Sequence, residues 1–93
     1  MAFYQQISPV TVEAKQFRSI DDYESLRDWA ACYGKDIWLD VYHGEHRICF
    51  DEQYNEKSLS LGHWLVRVKS GAEEVFLVCT NEFFQKTYAR LGE

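Results

Sequence analysis

Proline is nearly absent from this chain: Pro9 is the only one in 93 residues. The five glycines, Gly34, Gly44, Gly62, Gly71 and Gly92, stand alone. No Pro/Gly-rich linker, low-complexity tract or internal repeat divides the sequence, so one domain spanning residues 1–93 is expected. Cysteine is scarce and odd in number. Cys32, Cys49 and Cys79 are widely and irregularly spaced, which is no disulfide framework. They are expected to be reduced thiols in a cytosolic protein, with no disulfide. No apolar run approaches the roughly 20 residues of a membrane span. The opening MAFYQQISPV lacks the basic segment and apolar run of a signal peptide. Basic residues are too few for a phosphate-binding face: 10 Lys and Arg stand against 15 Asp and Glu, a net charge of −5. Direct nucleic-acid binding is therefore not expected.

Apolar residues make up 46% of the chain and aromatics 16%. That is enough to build a core without a metal or disulfide. It is more aromatic surface than so small an interior can hide, and exposed Trp and Tyr are the usual anchors of interfaces.

PVTVEAKQF alternates, with Val10, Val12 and Ala14 on one face, and predicts a half-buried strand. SIDDYESLRDWAACYG follows as a helix. Ser19 is its N-cap, acidic residues fill its first turn, and Tyr23, Leu26, Ala30 and Tyr33 form its apolar stripe. Gly34 ends it. DIWLDVYHGEHRICFDE reads as a hairpin turning at Gly44-Glu45, with Val41 facing Ile48 and Leu39 facing Phe50. QYNEKS reads as a polar connection. LGHWLVRVKSGAEEVFLVC is a second hairpin turning at Gly71-Ala72, with Trp64, Val66 and Val68 opposite Cys79, Leu77 and Val75 on one apolar face. TNEFFQKTYARLGE closes as a helix capped by Thr80 or Asn81, with Phe84, Tyr88 and Leu91 inward. The expected fold is α+β, a small antiparallel sheet of about five strands with two helices packed on it. Its expected core is Val10, Val12, Leu26, Leu39, Val41, Ile48, Phe50, Trp64, Val66, Val68, Val75, Leu77, Phe84 and Tyr88.

Catalytic chemistry lacks its usual parts. His43 and His46 flank a turn, but no C-x-x-C or H-E-x-x-H accompanies them, so no metal is expected. Cys49 and Cys79 fall on strands, where packing is the ordinary role of a thiol. No G-x-S-x-G, S-x-x-K or phosphate-cradling glycine loop is present. His63 reads as a strand-entry residue. The chain is expected to be no enzyme and to carry no cofactor.

SPVTVEAKQF, LGHWLVRVKSGAEEVFLVC and NEFFQKTYARL together resemble a family of small phage and prophage accessory proteins. Those share a P-V-x-V-E-A-x-Q-F opening, a G-D-W or G-D-Y step into a strand, and an F-x-K-T-Y ending. The likeness covers roughly half the chain. Here His63 stands where the family has aspartate, and Asn81 stands near the place of a proline common before the last helix. The resemblance implies a phage-borne accessory protein in the bacterial host's cytoplasm and carries no catalytic residue.

The expected function is a non-enzymatic protein that binds and inhibits a host protein, with a component of an antiviral defence system as one target. A small-molecule binder that sequesters a nucleotide signal, and a virion or assembly component, are the alternatives. No membrane partner is expected, and self-association into a homo-oligomer is left open. The alternation that sends Ile37, Leu39 and Val41 inward sends Trp38, Asp40 and Tyr42 outward, and the hairpin register places Arg47 across from Tyr42. Trp38, Asp40, Tyr42 and Arg47 are therefore the expected partner-binding patch. The competing expectation is that a helix covers them.

Overall fold

The computed structural model describes residues 10–88. Leu91, expected on the inward stripe of the last helix, and Pro9 lie outside them. The fold is α+β. In order it comprises β1 (Val10–Gln16), a 3₁₀ turn (Ile20–Asp22), α1 (Tyr23–Ala31), β2 (Ile37–Tyr42), β3 (Glu45–Glu52), β4 (Asn55–Ser60), β5 (Trp64–Ser70), β6 (Glu73–Cys79) and α2 (Asn81–Thr87). Six strands, not five, form two antiparallel three-stranded sheets, ordered β1-β5-β6 and β2-β3-β4. The additional strand is β4, which the sequence reading took for a connection. Its residues NEKSLS carry one apolar side chain, Leu59, and only that one is buried. Such an edge strand owes its existence to pairing with β3 rather than to its own pattern.

The helix starts differ from expectation in one respect. Ser19 makes no side-chain capping bond. Instead Asp22 accepts from the Arg18 backbone N–H at 2.9 Å and pairs with its guanidinium. That holds the Asp22 carboxyl below the usual carboxylate range, through the backbone bond first and the side chain second. At α2, Thr80 is the cap and accepts from the Phe83 N–H.

One core joins the two sheets and α1. Phe17, Leu26, Ala30, Ile37, Ile48, Phe50, Leu59, Leu65 and Phe76 are its buried members, with Tyr23, Trp29, Tyr33, Leu39 and Val78 packed around it. The second hairpin has the expected register, Trp64↔Cys79 through Lys69↔Glu74. The face it presents to this core is the other one. Leu65, Arg67, Phe76 and Val78 point at α1, while the Trp64–Val66–Val68 face, with Val12 and Ala14 of β1, is turned away from this core, although Val66 is fully buried there. The two helices consequently hold opposite faces of this sheet. Phe84 of α2 stacks on Trp64, ring centroids 3.7 Å apart and 7° from parallel, and the Trp64 indole N–H donates to Asn81 at 2.8 Å. Of the expected core, Val10, Val41 and Leu77 are exposed, and Val12, Leu39, Trp64, Val68, Val75, Phe84 and Tyr88 are half-buried.

The inner face of this sheet carries a charge network under α1. Arg67, 4% exposed, donates to Glu13 at 2.6 Å and to Glu74 at 3.0–3.1 Å. Glu13 also accepts from the Trp29 indole and the Tyr33 hydroxyl, each at 3.4 Å. The guanidinium lies 3.6 Å from the Tyr33 ring centroid. A buried guanidinium needs such partners to offset its lost hydration.

Turn chemistry sets the registers. His43 and Gly44 both take positive φ (51° and 80°), a type I′ pair joining Tyr42 to Glu45. The expected turn at Gly44-Glu45 is therefore one residue late, since it would force a glutamate into the left-handed region. The correction slides β2 by two residues against β3 and keeps every side chain on its face. Gly62, at φ 90°, fills the third position of a turn closed by His63 N–H to the Ser60 carbonyl, a place that favours glycine. The β3–β4 turn, Gln53-Tyr54, has φ 51° and 69° with no glycine at all. Replacing it with Asn-Gly puts at these two φ values the residues that tolerate them best, a gain of about 1–2 kcal/mol in all. The expected result is a melting temperature at least about 4 °C higher in thermal unfolding followed by circular dichroism.

Candidate functional site

The outer face of β2-β3-β4 is built by strict alternation. Trp38 lies beside Cys49 and Ser58, Asp40 beside Arg47 and Ser60, Tyr42 beside Glu45, and Asp51 beside Glu56. Trp38, Asp40, Tyr42 and Arg47 thus share one face, as the sequence pattern requires. No described helix covers it: Trp38 is 39% exposed and Tyr42 54%.

The register corrects one pairing. Arg47 stands across from Asp40, not Tyr42. Its guanidinium nevertheless reaches diagonally along the sheet to lie 4.3 Å from the Tyr42 ring centroid, while Nη2 contacts Asp40 at 3.5 Å. The His43 ring also meets Tyr42 in an edge-on pair, centroids 4.1 Å apart. Tyr42 therefore contacts two groups while remaining exposed. This pre-ordering lowers the entropy lost when such a ring is immobilised by a partner. The Arg47 Nε is buried and has no hydrogen-bond partner.

Asp40 has a second role. It accepts from the Val41 N–H at 2.8 Å, and the Tyr23 hydroxyl donates to the Ile37 carbonyl. β2 is the edge of its sheet, and side chains thus occupy two of its backbone polar groups, a device that discourages strand addition.

The three thiols differ in exposure. Cys49 is fully buried within the outer face. Burial pushes its thiol up, with Arg47 opposing and Glu56 and Asp40 reinforcing. Burial likewise raises Cys79. Cys32 is exposed. Among the described residues no three His, Cys, Asp or Glu side chains converge as a metal site. His46 pairs with Val41 on the inner face while His43 sits in the turn. His63 acts through its backbone: its carbonyl accepts from Phe17 N–H at 2.9 Å.

Two other surfaces were not foreseen. A hollow of about 280 Å³ lies between β1 and α1, lined by Gln16, Arg18, Asp22 and Trp64 among others. Arg18 is paired with Asp22 and Gln16 donates to the Gly62 carbonyl, so these groups are already engaged by the protein. The second is the hairpin tip at Tyr54, which is fully exposed. Its sequence signal was weak, because Gln53-Tyr54 lacks the glycine or asparagine that marks a tight turn.

These features define an α+β protein of two three-stranded sheets with an open aromatic face. Comparison with protein-family models, with curated proteins and with solved structures finds no match to this chain. No helix among the described residues is long and apolar enough to cross a membrane.

Proposed function

We propose that this chain is a small non-enzymatic accessory protein, phage-borne, that binds and inhibits a host protein through the outer face of β2-β3-β4. The observation that carries the reading is the exposed Tyr42 ring in contact with Arg47 and His43, with Trp38 exposed on the same face. Trp, Tyr and Arg are the residue types that most often dominate interface energy. The phage assignment rests on the resemblance of SPVTVEAKQF and the NEFFQKTYARL ending to that family. A host defence component is the target class proposed, and the host cytoplasm the place of action.

The nucleotide-sequestering alternative is the weaker one. It would need convergent donors in a closed aromatic pocket. Arg67 is committed to Glu13 and Glu74, and Arg47 lies on an open sheet face.

Tyr42→Ala and Arg47→Ala are each expected to weaken partner binding by more than about 1 kcal/mol while the fold survives. The measurement is retention of a host protein captured from bacterial lysate by wild type and by each variant, beside the thermal stability of each. Reduced stability with unchanged retention would assign both residues to packing alone and remove the proposed site.

A further inference from the structure

The outer face of β2-β3-β4 carries a charge arrangement that its own fold does not explain. Asp51 and Glu56 lie directly opposite each other on β3 and β4. Both are exposed, and neither side chain forms an ion pair among the described residues. Like charges directly across a ladder destabilise it. They occupy the row next to Trp38, Cys49 and Ser58, about 7 Å along the strands. Glu45 adds a further exposed carboxylate on this face, and Arg47 is its single cation, already beside Asp40.

The same hairpin ends in Tyr54, fully exposed at a left-handed φ of 69° beside Gln53 at 51°. An asparagine-glycine turn and a lysine opposite Glu56 would suit an isolated hairpin better.

We infer that this face docks a cationic protein surface, one presenting two or more Lys or Arg side chains, with Trp38 as its aromatic contact and Asp51 and Glu56 as the charges that meet it. The inference rests on the reading that the face binds a protein and narrows the chemistry of that partner. Cations favour the faces of Trp and Tyr rings as well as carboxylates, so the aromatic and acidic groups select the same occupant. Charge complementarity of this kind steers association and selects partners. A bound calcium ion is a poorer fit, since it takes 6–8 oxygen ligands and this row offers two carboxylates.

The test uses an octalysine peptide as probe, titrated into ¹⁵N-labelled protein at low and at physiological salt. Shifts are expected at the Trp38 indole and at residues 51–56, with affinity falling as salt rises. The double variant Asp51→Asn/Glu56→Gln is expected to bind at least ~10-fold more weakly. The control Asp21→Asn/Glu24→Gln removes the same charge from the exposed start of α1 and is expected to change affinity less than about twofold. Equal losses in the two variants, or shifts spread over α1, would reduce the effect to net charge and overturn the inference. With the captured host protein the two readings separate. Retention lost on Tyr42→Ala but kept by the Asp51/Glu56 variant overturns the cationic-partner inference alone. Retention lost on the Asp51/Glu56 variant but kept by Tyr42→Ala and Arg47→Ala supports it and overturns the proposed Tyr42–Arg47 site.

Discussion

Removing Glu13 and Glu74 together, as alanines, is expected to destabilise this protein by about 3–5 kcal/mol. The change leaves Arg67 charged, 4% exposed and without either carboxylate. It also removes the acceptor that Glu13 provides to the Trp29 indole and the Tyr33 hydroxyl, so two further donors under α1 lose their partner. Arg67→Met is expected to be much milder, below about 2 kcal/mol. The side chains of Glu13 and Glu74 are 39% and 26% exposed, so they can turn to water once the guanidinium is gone, and methionine fills the stem's volume. Urea unfolding with unchanged slope reads both effects as shifts of the midpoint. If Arg67→Met proved the more damaging, the network would be a net source of stability rather than the means by which α1 docks on a partly polar face.

Phe50→Ala is the other large effect, about 3–5 kcal/mol. Phe50 is fully buried on β3, the central strand of its sheet, between Ile37 and Lys57 in register. It belongs to the cluster that contains Phe17 and Leu26, so its loss opens a cavity where both sheets and α1 meet. A domain of this length has total stability of the same order. The melting temperature is expected to fall by at least about 12 °C. Val41→Ala on the adjacent strand, 57% exposed, is expected to change it by only a few degrees. A comparable loss from Val41 would mean that the exposed end of β2 is packed in solution.

Local chemistry made much of this protein legible from its residues. The β5–β6 hairpin follows from alternation and a turn that admits glycine at Gly71, and its register is that of the structure. The faces of β2 and β3 follow from period two, so Trp38, Asp40, Tyr42 and Arg47 lie together with either two-residue turn, at His43-Gly44 or at Gly44-Glu45. Three features required the tertiary structure. The pairing of Arg47 with Asp40 depends on which two residues take positive φ, and His43-Gly44 satisfies that where Gly44-Glu45 would not. β4 carries one buried apolar side chain, so its strand character comes from the partner beside it. The apolar pattern turns the Trp64–Val66–Val68 face of β5 inward, and the structure turns Leu65 and Phe76 of the other face to the core instead, with Val66 fully buried as well. The docking of α1 decided it: Trp29 and Tyr33 brought polar hydrogens that needed Glu13, and Glu13 shares its face with Arg67. Alternation says which residues share a face, but only the packing of a third element says which face is turned from water.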